Sequence, residues 1–170
     1  MEGTGKLRIG HPMDELSDIT SLISESEAER VVSWIEDAVT KGATLLTGGQ
    51  RTRATIVPAV LQNLPTSARM SCSEVFGPVV SINTFDDLDD AITKANDTPY
   101  GLQAGIFTRD LDRAFYAARK IEAGGVMINE IPGFRADNMP YGGIKDSGLG
   151  REGPRYAIQE MTEMKLICWR

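Results

Sequence analysis

From Ala28 onward, apolar residues return at intervals of three and four, through Val31, Val32, Ile35, Ala38 and Val39. That spacing places them on one face of a helix. Ser24 and Glu27 form a capping-box pattern that satisfies free amides at its start, and Gly42 stops it. The rhythm then shortens. "ATLLTGG" reads as a short strand ending in a glycine turn, and "ATIVPAVLQNLP" as an extended segment edged or broken at Pro58. "PVVSINTF" predicts a further strand. Asp86 or Asp87 can cap a second helix carrying Leu88, Ala91, Ile92 and Ala95 on one face. "GLQAGIFT" predicts a strand running to the cap Asp110. Leu111, Ala114, Phe115, Ala118 and Ile121 then make a third amphipathic helix, closed by Gly124 and Gly125. "GVMIN" reads as a buried strand. A long loop follows, a last helix begins near Pro154, and the chain closes on the strand-like "KLICWR".

Strands alternating with helices at this spacing predict βαβ units, and therefore an α/β fold with a mostly parallel sheet and flanking helices. The loop from Glu130 to Gly150 is long for a compact domain, and such loops usually line a site. Just beyond it, Gly148, Gly150 and Gly153 spell G-x-G-x-x-G. A dinucleotide fingerprint needs those glycines directly after a strand, with an acidic residue about 20 positions further on. Here they follow the loop "MPYGGIKDS", so the spelling alone does not define a nucleotide site.

Composition narrows the chemistry. A net charge of -6 over 170 residues argues against a nucleic-acid partner and against an anionic membrane surface. No apolar run approaches a bilayer span, and the polar "MEGTGKLRIGHPMDE" has no leader-like core, which predicts a cytoplasmic location. The only histidine, His11, lies in a polar stretch and reads as a solvated loop residue. One histidine leaves no His-based zinc site or Ser-His-Asp triad, so no metal ligands are assigned. Cys72 and Cys168 show neither metal nor redox spacing and read as buried, inert thiols.

Four blocks carry something more specific: "EVFGP" (Glu74 to Pro78), "YGLQAGIFT" (Tyr100 to Thr108), "AGGVMIN" (Ala123 to Asn129) and "PYGGIKDSGLGREG" (Pro140 to Gly153). In this order, and with the "RVVSWIEDAVTKGATLLTGG" unit before them, they resemble the NAD(P)-dependent aldehyde dehydrogenase superfamily. The likeness covers nearly the whole chain and looks like the last third of the family's length. It implies that residues 1–160 belong to the C-terminal part of the catalytic domain and residues 161–170 to an oligomerisation strand. The resemblance places the family's nucleophilic cysteine, general base and Rossmann domain upstream of this chain. No catalytic residue is therefore assigned, Cys72 is not promoted to nucleophile, and the chain by itself is expected to be inert.

The resemblance also assigns binding roles. Glu74 matches the glutamate that accepts hydrogen bonds from the nicotinamide ribose of NAD or NADP, and Phe76 the aromatic that flanks the nicotinamide. The local alternative makes Glu74 a turn cap before Gly77-Pro78 and Phe76 a core residue. Tyr141 takes the place of an aromatic wall of the aldehyde tunnel. Arg135 stands where members acting on apolar aldehydes often carry an apolar residue. An arginine there suits a carboxylate or phosphonate; the alternative is an exposed arginine paired with Asp137. Lys145 and Arg151 are expected to be structural donors to loop carbonyls. "RADNMPYGGIKDSGLGREG" looks most like the branch handling lactaldehyde, succinate semialdehyde or phosphonoacetaldehyde. The implied partners are a small aldehyde and further copies of the chain, with neither nucleic acid nor membrane. A non-catalytic binding or assembly module that keeps the fold stays open as a different class.

Overall fold

The structure, a computed structural model, describes residues 2–170 and divides into two compact units, up to Thr84 and from Phe85 onward. The first unit contains α1 (Glu2–Gly5), α2 (Glu25–Thr40), β1 (Thr44–Thr47), β2 (Arg51–Thr52), β3 (Thr55–Ile56), β4 (Ala59–Gln62), α3 (Arg69–Cys72) and β5 (Val79–Ile82). Ser24 caps α2 as its spacing predicts, its hydroxyl accepting from the Glu27 amide at 3.2 Å. The reciprocal half of the capping box does not form. The Glu27 carboxylate turns instead to Arg30, 2.8 Å away.

Ala28, Val31, Ile35 and Ala38 of α2 are all buried, and they share a core cluster with Ile56, Ala59, Leu61, Leu64 and Met70. Val39, expected on the same face, lies 42% exposed. Pro58 does interrupt the extended segment, splitting it into β3 and β4 because proline offers no amide to a ladder. Lys41, at the end of α2, donates to the Asp37 carboxylate and to the Ser67 carbonyl. Its hydrogen bond is the main cause that holds the Asp37 carboxyl below the usual carboxylate range. Ahead of α2, Asp18 accepts from the Arg8 amide and Ile9 bridges Ile19.

The second unit contains α4 (Leu88–Asn96), β6 (Tyr100–Gly101), β7 (Gln103–Ile106), α5 (Leu111–Lys120), β8 (Gly125–Ile128), β9 (Ile144–Lys145) and α6 (Pro154–Met161). Asp87 caps α4 and Asp110 caps α5, each accepting from the amide three residues on. Helix α5 ends at Lys120, ahead of the glycines expected to close it. Tyr116 of α5 donates to Asp89 of α4 at 2.6 Å, and this bond raises the tyrosine pKa.

The sheets are mixed, which corrects the mostly parallel expectation. Only β4–β5 and β7–β8 pair in parallel. The pairs β1–β4, β2–β3 and β6–β9 are antiparallel. Parallel neighbours need a long crossover, and the links containing α3 and α5 supply one for each parallel pair.

Residues 163–170 form no strand within the chain. A strand exists only against a partner, and none of the described residues pairs with this segment. Leu166 and Trp169 are 90% and 88% exposed, so this apolar segment is not buried within the chain. No helix among the described residues is long and apolar enough to cross a membrane.

Candidate functional site

In the first unit, the segment after α3 carries Glu74 and Phe76. Arg30 anchors it from α2: its Nη2 donates to the Val75 carbonyl at 2.8 Å while its guanidinium stacks over Trp34 at 4.6 Å. Gly77 packs so close to α2 that a Cβ there would lie 3.0 Å from the Val31 side chain. Between these two fixed points Phe76 adopts φ +49, in the left-handed region. For a non-glycine residue that conformation costs about 1–3 kcal/mol and persists only where the surroundings impose it.

The result is a presented pair rather than a packed turn. Phe76 is 72% exposed, so it is not the core residue of the local alternative. Glu74 is exposed and has no hydrogen bond or ion pair with the described residues, so it is not a turn cap either. A free carboxylate offers acceptors to two adjacent hydroxyls, and a bare aromatic face beside it suits a flat ring. These two residues therefore fit a nicotinamide riboside.

Cys72 is exposed, which corrects the buried expectation. It ends the four-residue α3, whose buried position is taken by Met70. Its thiol donates to the Arg69 carbonyl at 3.5 Å. Cys168 is exposed as well. His11 stays in a loop, its Nδ1 accepting from the Met13 amide. Among the described residues no cluster of histidine, cysteine and carboxylate side chains could hold a metal ion.

In the second unit, Asn129 starts the long loop. It sits at φ +59, and its side chain accepts from the Thr108 amide at 2.8 Å. Arg135 lies over the ring of Tyr141, guanidinium carbon to centroid 4.4 Å. Its Nη2 donates to Glu152 Oε2 at 2.9 Å, so its partner is Glu152 and not the neighbouring Asp137. The side chains of Arg135 and Glu152 are 44% and 65% exposed.

Tyr141 and Glu152 are themselves joined by a short antiparallel bridge. The Tyr141 amide donates to the Glu152 carbonyl at 3.2 Å and the Glu152 amide donates back at 2.6 Å. Tyr141 and Glu152 also line a cleft of about 290 Å³ with Leu102, Ser147 and Arg151.

Sequence reasoning missed Glu152. Its acidic character is visible in "GREG", but the bridge that brings it to Arg135 is not. Lys145 and Arg151 serve as donors to backbone carbonyls, Lys145 to Asn96 and Thr98, Arg151 to Gly143 and Gly150. Lys145 also pairs with Glu122 at 2.7 Å. In the "GLGREG" stretch Gly148, Gly150 and Gly153 all have left-handed φ, of +117, +76 and +116. Their spelling reflects a tightly folded loop, since L-residues avoid those conformations.

The aldehyde dehydrogenase family model matches residues 1–167, and the chain belongs to that family. It is 50% identical over 166 residues to a 3-sulfolactaldehyde dehydrogenase of Priestia aryabhattai, covering 98% of this chain and 35% of that protein. Among solved structures it is similar to aldehyde dehydrogenase 21 of Physcomitrella patens in complex with its product succinate. That match has a TM-score of 0.92 and 46% identity, over 95% of this chain and 34% of that one. It is also similar to the glyceraldehyde-3-phosphate dehydrogenase of Methanocaldococcus jannaschii complexed with NADP. There the TM-score is 0.90 at 41% identity, over 96% of this chain and 36% of the other. The chain thus spans about a third of the length of the proteins it matches.

Proposed function

We propose that this chain forms the C-terminal part of the catalytic domain of an NAD(P)-dependent aldehyde dehydrogenase that oxidises a small polar or anionic aldehyde to its carboxylic acid. NAD or NADP, when bound, would supply the acceptor for the hydride that leaves the aldehyde carbon. Glu74 accepts hydrogen bonds from the ribose hydroxyls, and Phe76 offers its exposed ring to the nicotinamide. Tyr141 forms an aromatic wall of the aldehyde site, and Arg135 beside it holds the distal anion of the substrate.

The observation that carries this reading is the disposition of Arg135. Its face is covered by Tyr141, yet among the described residues only one of its N–H groups has a partner. A guanidinium carries five such donors in a rigid fork that matches a carboxylate. The substrate class has support from the proteins named above, which act on a sulfonated aldehyde and release a dicarboxylate. Residues 161–170 pair with a second copy of the chain in this account, as an exposed apolar segment with an unpaired backbone invites. The working location is the cytoplasm.

Initial rates of NAD(P) reduction by the full-length enzyme provide the test. Succinate semialdehyde, 3-sulfolactaldehyde and lactaldehyde are expected to exceed uncharged, apolar butanal in kcat/KM, and residues 1–170 alone are expected to give no turnover. A preference for butanal, or turnover by residues 1–170 above a blank, would overturn the assignment.

A further inference from the structure

Arg135 is not a vacant anion site, because a carboxylate of the chain's own already sits on it. Glu152 Oε2 accepts from Nη2 at 2.9 Å, and the Tyr141–Glu152 bridge fixes the backbone from which that carboxylate reaches out. Tyr141 blocks one face of the guanidinium, so an incoming anion approaches along its edge. There it meets Glu152. A tail carboxylate must either displace Glu152 or settle beside a like charge, and each route weakens binding. When the substrate has no anion, Glu152 keeps the guanidinium paired with a counter-charge, so a neutral polar aldehyde is admitted with little penalty.

We propose that Glu152 is a specificity-determining residue: a resident carboxylate that substrate anions must displace from Arg135 or settle beside, and that sets how strongly the site prefers charged aldehydes to uncharged ones. The inference rests on the reading of Arg135 as the anchor for the substrate tail. Glu152 touches Arg135 and not the reacting carbon, so its influence falls on KM more than on kcat.

The readout is a ratio, kcat/KM for succinate semialdehyde over kcat/KM for butanal, measured on the full-length enzyme. Glu152→Gln removes the competing charge while the backbone bridge remains. Because the pair is partly exposed, the ratio is expected to rise about fivefold, carried by a lower KM for the semialdehyde. In an Arg135→Leu background the same change should leave the ratio where it was. A ratio unchanged or lowered by Glu152→Gln, or an equal rise without Arg135, would overturn the proposal.

Glu152→Asp draws the carboxylate back by one methylene and should give an intermediate rise. If the glutamine variant does not fold, the aspartate variant decides, and an unchanged ratio there has the same meaning. The two readings fail separately. A ratio that falls with Arg135→Leu but ignores Glu152 leaves the tail anchor standing and removes only the competitor. A ratio that ignores Arg135 removes both.

Discussion

Arg135→Leu is expected to lower kcat/KM for carboxylate- or sulfonate-bearing aldehydes by about ten- to a hundredfold, corresponding to a charge-assisted hydrogen-bonded pair of about 1.5–3 kcal/mol. The side chain is 44% exposed, and solvent screening places the effect toward the lower end of that range. Uncharged aldehydes should change little. An unpartnered arginine would have penalised apolar substrates too, but Glu152 supplies a partner when no anion is bound. The arginine therefore selects chiefly by attraction. Arg135→Lys keeps the charge but loses the fork and much of the stacking on Tyr141, so it should recover only part of the loss. Steady-state kinetics with matched charged and uncharged aldehydes check this. Equal losses for both classes would mark Arg135 as a residue that holds its loop.

Glu74→Gln is the second large effect. A carboxylate can accept from both ribose hydroxyls with charge assistance, whereas an amide offers a single oxygen and a donor that faces the wrong way. Losing one charge-assisted bond, about 1.5–3 kcal/mol, should lower kcat about ten- to a hundredfold by loosening the position of the nicotinamide. Stability should not follow. Glu74 is exposed and has no partner among the described residues, so its replacement leaves no buried group unsatisfied. The check is a melting curve beside the kinetics. Unchanged kinetics with unchanged melting would show that the cofactor does not lean on this residue.

Much of the fold was legible locally. Ser24, Asp87 and Asp110 cap the helices their spacing suggests, and the apolar stripe of α2 is the core stripe, apart from its last turn at Val39. These features depend on residues three or four positions apart, where sequence distance and spatial distance agree.

Strand direction was not legible in the same way. Alternation of strands and helices suggested parallel pairing, but β1 returns to β4 through the β2–β3 hairpin and pairs antiparallel. Short strands of two to four residues carry too weak a pattern to show this. The C-terminal segment shows the opposite limit: its apolar residues are visible in sequence, yet Leu166 and Trp169 lie exposed in the chain.

The site divides along the same line. Glu74 and Phe76 were singled out by their motif as candidates, and their presentation rests on Arg30, which sits 45 positions from the Val75 carbonyl it holds. For Arg135, proximity in sequence favoured Asp137 as its partner. The bridge between Tyr141 and Glu152 brings up a carboxylate 17 positions away instead. Non-local pairs of this kind leave no periodic trace. The exposure of Cys72 was hidden for a related reason, since Met70 takes the one buried place on a helix of a single turn.

The most direct measurement of the central claim is a crystal structure of the full-length enzyme with NAD(P) and a dicarboxylic acid product such as succinate. The account predicts that the distal carboxylate lies on the Arg135 guanidinium, in hydrogen-bond contact and beside the Tyr141 ring, with the Glu152 carboxylate moved off Nη2. A product whose distal carboxylate is held elsewhere, with Arg135 still paired to Glu152, would contradict it.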